Sequence, residues 1–260
     1  MSKMTRPALT RKEYLKEKKQ QEQYNSIVKK SNLVIRKARY GFSLQQQKIL
    51  CYLITHLNDL DTHETPKKFD IKTFFDFMEI ESKSYERVRD NLKALRDKSW
   101  FIQLPDGSET TVSFLTKVTA DKRNGTATVY FDRDILPFLQ NLKAEYTQYK
   151  MFYIMTMKSQ YSIRLYEIFK SVAGKENWYF DIDELRKLFM CDKNYDRVND
   201  FKKRVIEPAI AEINEKTDIN VEYEYLNEGR KIVGIECTIS YKNTLDRLEV
   251  DKLIKAELEE

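Results

Sequence analysis

Two short rows of cations are the residues best placed to do chemistry in this chain. Between Ser84 and Ser99, Arg89, Lys93 and Arg96 recur at i, i+4 and i+7, with Arg87 just ahead of them. Between Arg197 and Ala209, Arg197 and Arg204 stand two helical turns apart, with Lys202 and Lys203 beside them. A guanidinium presents a fork of donors that fits a phosphate or the O6/N7 edge of guanine, and an ammonium is a compact charge suited to phosphate. Two further cation pairs, Lys122-Arg123 and Arg230-Lys231, lie beside the turn residues Asn124-Gly125 and Gly229, where a protruding hairpin can reach phosphate or a minor groove.

Each row shares its segment with an apolar stripe: Tyr85, Val88, Leu92 and Leu95 in the first, Val198, Phe201, Val205 and Ala209 in the second. A helix that buries one stripe and shows cations on another is what a major groove admits. Most charge rows are solvated faces, and Asp200 and Glu207 interrupt the second one, so either row alone is a weak footprint. Their repetition in the same structural setting makes the case.

That setting is an internal duplication. Phe69-Asp70-Ile71 followed by Phe74, Phe77 and Met78 recurs as Phe180-Asp181-Ile182 followed by Leu185, Leu188 and Phe189, and Tyr85-Glu86-Arg87-Val88-Arg89-Asp90 recurs as Tyr195-Asp196-Arg197-Val198-Asn199-Asp200. Each copy reads as a long helix (Leu44 to Leu57 behind the capping box Ser43/Gln46; a helix from Ser159 through Val172), a short strand (Lys68 to Ile71; Trp178 to Asp181) and a short helix. A tight break at Glu81-Ser82-Lys83 or Cys191-Asp192-Lys193 then leads into the basic helix, completing a helix-turn-helix.

After each basic helix the apolar period switches to two. Ile219, Val221, Tyr223 and Tyr225, then Ile235, Cys237, Ile239 and Tyr241, form a hairpin around Asn227-Glu228-Gly229. In the first copy Trp100 to Leu104, Val112 to Val118 and Ala127-Val129-Phe131 are expected to make a three-stranded version. The fold class is therefore α+β, two tandem winged helices. The expected divisions are a basic flexible tail over 1–30, an N-terminal winged helix over 31–144, a C-terminal one over 145–245 and an acidic tail over 246–260. Residues 1–40 carry twelve Lys or Arg against three Glu and residues 246–260 six acids against three bases, so the body between is nearly neutral and placement of charge, not its +5 total, carries the argument.

Other chemistries lack their residues. The only histidines, His56 and His63, form no His-hydrophobic-His metal triplet, which disfavours a rolling-circle nicking endonuclease, and the plentiful tyrosines fall mostly on apolar stripes. The six glycines form no GxxxxGK[ST] loop, and Cys51, Cys191 and Cys237 are too scattered for a zinc site or a disulfide framework. No enzymatic activity, metal or cofactor is expected. No apolar run reaches the roughly 20 residues of a membrane span, and a reducing cytoplasm is the expected location.

Several blocks also resemble a known family. Tyr40-Gly41-Phe42-Ser43-Leu44, Tyr161-Ser162-Ile163-Arg164-Leu165-Tyr166-Glu167, Phe201-Lys202-Lys203-Arg204-Val205-Ile206-Glu207-Pro208-Ala209 and Gly229-Arg230-Lys231 are similar to the iteron-binding initiator Rep proteins of theta-replicating plasmids. The resemblance spans roughly Ser31 to Lys242. It implies a protein that binds direct repeats at a plasmid origin, promotes origin opening, recruits the host replication initiator and replicative helicase machinery, and represses its own gene as a homodimer in equilibrium with monomer. It further implies that the C-terminal winged helix is the main sequence reader and the N-terminal one supplies phosphate contacts and dimerisation. The nearest alternative is a tandem winged-helix transcriptional regulator. The Tyr161 to Glu167 block itself reads as core packing, with Arg164 and Glu167 paired at i, i+3.

Overall fold

The computed structural model describes residues 24–78, 84–175, 177–191, 193–195 and 197–259, together with 10, 11, 18, 21 and 22. The break at Glu81-Ser82-Lys83, and Asp192 of the second break, lie outside the described residues. In the N-terminal half, helix α1 (Asn32–Lys37) and the capped helix α2 (Leu44–Ile54) precede strand β3 (Lys67–Asp70), helix α3 (Ile71–Met78) and helix α4 (Tyr85–Asp97). Strands β4 (Ser99–Gln103), β5 (Glu109–Ser113), β6 (Leu115–Asp121) and β7 (Thr126–Phe131) follow, with β1 (Ile27–Ser31) and β2 (Ala38–Arg39) upstream and β8 (Tyr146–Lys150) downstream.

A short helix α5 (Phe152–Met155) and helix α6 (Gln160–Lys170) lead into the C-terminal half: β9 (Trp178–Asp181), helix α7 (Ile182–Leu188) and a long helix. That helix runs without a break through Val198–Phe201, a π-helical turn Lys202–Ile206 and Glu207–Lys216, and is named α8. The hairpin β10 (Ile219–Glu228) and β11 (Lys231–Tyr241) and a terminal helix α9 (Thr244–Glu259) complete the chain.

The duplication is present in the topology. One sheet has the order β3-β7-β6 and another the order β9-β11-β10, so in both halves the strand before the helix-turn-helix pairs with the returning strand of the wing. Equivalent aromatics also do equivalent work. Phe69 packs edge-on against Tyr52 of α2 with ring centroids 5.7 Å apart, and Phe180 packs edge-on against Phe169 of α6 at 5.4 Å.

Three expectations are corrected. The three-stranded first wing is two hairpins in different sheets: β4–β5 joins β2, and β6–β7 joins β3. The apolar run Val112 to Val118 breaks at Phe114, which is fully buried, stacks on Trp100 at 5.8 Å and meets Phe131 at 5.1 Å, so the chain turns a corner there to bury one ring. The basic tail of 1–30 ends before Ile27, because Ile27–Ser31 pairs antiparallel with Tyr146–Lys150. The acidic tail of 246–260 is largely helical, anchored through buried Val250 and Ile254 and through Glu257, which accepts from Lys216 at 2.8 Å. The Tyr161 to Glu167 block is core, as read from the sequence, and the burial extends to its polar residues: Ser162, Arg164 and Glu167 are as enclosed as Leu165 and Phe169, because α6 packs against α1 and α2 on one side and α8 on the other.

The enclosed polar residues of α6 form a connected cluster. Lys30 of β1 donates to Glu167 at 2.5 Å, Tyr149 of β8 donates to the same carboxylate oxygen, and Arg164 lies 3.7 Å from the other oxygen. Arg164 also donates to the Ala38 carbonyl at 2.6 Å and stacks over the Tyr40 ring at 4.5 Å. Desolvation pulls the pKa of Lys30 down while Cys51, Glu167 and Tyr40 pull it up, and the sum lies above the ordinary lysine value. Burial pushes the neighbouring Cys51 thiol up to about 11. The pairing of Arg164 with Glu167 read from the sequence is present, as part of this buried network.

Candidate nucleic-acid interface

Helix α4 forms because Ser84 caps it, its hydroxyl accepting from the Arg87 amide, and because Val88, Leu92 and Leu95 bury the expected stripe. Arg87, Lys93 and Arg96 are exposed and Arg89 is half-buried. Two of these cations are partly neutralised by the next residue: Arg89 donates to Asp90 at 2.8 Å and Arg96 to Asp97 at 2.7 Å.

At the wing beside α4, Asp121 accepts from the Asn124 amide at 3.1 Å, and Gly125 adopts the left-handed conformation (φ 63°) that closes the turn. Lys122 and Arg123 are exposed at this tip, as expected, but Lys122 donates to Glu86 of α4 at 2.6 Å, pinning wing to helix. The hydrogen bond from Lys122 holds the Glu86 carboxyl at about 2, below its ordinary 4.5. A carboxylate with a lowered folded pKa contributes above its ordinary value, so this tether is complete above pH 4.5 and is lost as pH falls through about 2. Replacing Lys122 by alanine should move the Glu86 titration midpoint, followed by NMR, back toward 4.5; an unchanged midpoint would refute the tether.

In the second copy, Phe201, Val205 and Ala209 are buried as expected, joined by Ile206, Ile210 and Ile213, whereas Val198 is only partly covered. The π-helical turn has a cause in the sequence. Pro208 lacks an amide proton and its ring would strike the Arg204 carbonyl, so the helix widens and Glu207 donates to Lys202, five residues back. This turn carries the basic block. Lys203 and Arg204 are exposed, while Lys202 is drawn toward the wing, 4.2 Å over the Tyr225 ring and 3.6 Å from Glu207. Arg197 is exposed at the N-cap position.

The second wing turns at Gly229 (φ 61°) and Arg230, one residue later than the expected turn, with Glu228 opposite Lys231 in register. Arg230 and Lys231 are both exposed. Thus α4 shows Arg87, Lys93 and Arg96, α8 shows Arg197, Lys203 and Arg204, and each wing shows two cations. Asn199, an uncharged residue of α8, is exposed as well. Among the described residues there is no group of His, Cys, Asp and Glu that could hold a metal, and no helix is long and apolar enough to cross a membrane.

Two winged helices in tandem, each with an exposed basic helix and a basic wing, define the class: a tandem winged-helix protein of the DNA-binding kind. Residues 27–170 match the family described as "Initiator Replication protein, WH1" and residues 181–239 the family described as "Initiator Rep protein, WH2", and the chain belongs to this initiator Rep family. Its fold is that of the Pi initiator protein, solved in complex with iteron DNA, with a TM-score of 0.69 at 18% identity over 85% of this chain and 99% of that one. An Escherichia coli protein described as an uncharacterized 27.6 kDa protein is 22% identical over 123 residues, 47% of this chain; the chain spans about half, 52%, of that relative's length.

Proposed function

We propose that this chain initiates plasmid replication by binding direct repeats at the plasmid origin, and that it does so without catalysis of its own. In this reading bound protomers promote opening of the origin and recruit the host replication initiator and replicative helicase in the bacterial cytoplasm. A homodimer formed through the N-terminal winged helix, in equilibrium with monomer, represses the protein's own gene. The observation that supports the reading is the duplication itself: one chain carries two basic helices and two basic wings, enough to occupy an asymmetric repeat as a monomer, whereas a palindrome mirrors the two-fold symmetry of a dimer.

The test is a plasmid carrying only this gene and its flanking DNA, propagated in a bacterial host. Replication that depends on the gene and on tandem direct repeats of roughly 20 base pairs beside it is the expected result. Binding confined to one palindrome, with no replication, would instead make the protein a transcriptional regulator.

A further inference from the structure

The two basic helices present different chemistry to the outside. Aligning Tyr85–Asp90 with Tyr195–Asp200 puts Asn199 where α4 has Arg89, and Lys203 where α4 has Lys93. Asn199 and Lys203 each lie two residues from fully buried Phe201 and are both exposed, so both project away from the core. They are four apart, on one face. Lys202 turns aside to Tyr225, which leaves Asn199 and Lys203 as the outward pair at the start of α8.

Nothing local accounts for asparagine at position 199. It is a poor helix former, it is not the cap, which is Arg197, and its side chain is exposed without a hydrogen bond among the described residues. The residues nearest the start of a recognition helix are those that meet base edges. A carboxamide there is neutral and bidentate: its oxygen accepts from the adenine N6 amino group while its nitrogen donates to N7, a pattern that no other base pair offers at the same place in the major groove.

We propose that Asn199 is a specificity-determining residue that reads one adenine in the major groove, with Lys203 beside it on an adjacent guanine or phosphate. This rests on the reading of the chain as a sequence-specific DNA binder. Position 89 carries arginine in the other copy, already hydrogen-bonded to Asp90, so the two helices are not interchangeable readers.

The experiment selects duplexes from a random pool with the full-length protein and with Asn199→Ala and Asn199→Asp. The wild type should enrich a motif containing an adenine whose preference vanishes with Asn199→Ala. With Asn199→Asp, whose carboxylate only accepts, the same position should shift toward cytosine. On the wild-type motif, Asn199→Ala should bind about 5- to 150-fold more weakly. Replacing the adenine by 7-deazaadenine should weaken the wild type and leave Asn199→Ala unaffected, which separates a lost base contact from a misfolded variant. Unchanged motifs in both variants, or an equal 7-deazaadenine penalty in wild type and Asn199→Ala, would overturn the assignment while leaving sequence-specific binding intact. A wild type that enriches no motif would overturn both.

Discussion

Replacing Glu167 by alanine should cost about 3–5 kcal/mol of folding stability, a large share of the 5–15 kcal/mol typical of a folded protein. Glu167 is fully buried and is approached by Lys30 at 2.5 Å, by Arg164 at 3.7 Å and by the Tyr149 hydroxyl. Alanine would leave Lys30 and Arg164, 1% and 3% exposed, as two cations enclosed without their anion, and it is the unpaired charge more than the lost contact that destabilises. The raised pKa of Lys30 sets the pH dependence of the intact cluster: its contribution is complete below the ordinary 10.5 and is lost only as pH climbs beyond it. Urea unfolding followed by circular dichroism measures this directly. A loss below about 1 kcal/mol would show that the cluster does not stabilise the fold, since a surface pair is worth no more than that.

The second large effect separates the two kinds of DNA contact. Arg204 is exposed on the widened turn of α8, where its guanidinium can make a bidentate contact to guanine. Arg204→Ala should cost about 1–3 kcal/mol on the cognate repeat and flatten sequence preference, with nonspecific affinity changing much less. Lys231 flanks the wing turn, exposed beside Glu228, a place for a phosphate contact. Lys231→Ala should weaken all sequences alike and reduce the log-log salt slope by about one unit. Titrations at several salt concentrations on cognate and scrambled duplexes distinguish them. Cognate binding unchanged by both substitutions would remove the C-terminal winged helix from the role of sequence reader.

What could be read in the sequence is what repeats or has a period. The Phe69/Phe180 and Tyr85/Tyr195 blocks disclosed the duplication, Ser43 with Gln46 disclosed a capping box that is present in the structure, and of the apolar stripe of α4 Val88, Leu92 and Leu95 are buried while Tyr85 is partly covered. Features set by distant partners were not legible. The i, i+3 pairing of Arg164 with Glu167 could be read within its own helix, but not the third member of the cluster, Lys30, which β1 delivers from 137 positions away. Ile27–Ser31 carries two lysines and reads as tail, yet its alternation puts Val28 and Lys30 inward, and only pairing with β8 reveals it. The π-helical turn leaves Phe201, Val205 and Ala209 buried as a regular helix would, so its one trace in the sequence is Pro208. The exposed cations of the helices and wings were legible by type and spacing, but not the diversion of Lys202 to Tyr225 or of Lys122 to Glu86, because each depends on how closely a wing approaches its helix.

The central claim is that one chain reads DNA with two winged helices in tandem, and the most direct measurement is a hydroxyl-radical footprint of the monomeric protein on a single copy of its selected duplex. Two recognition helices entering successive major-groove faces should protect about two helical turns, in two segments centred roughly 10 base pairs apart, and Arg204→Ala should weaken one segment first. A single protected half-site per chain, of one turn or less, would contradict the account.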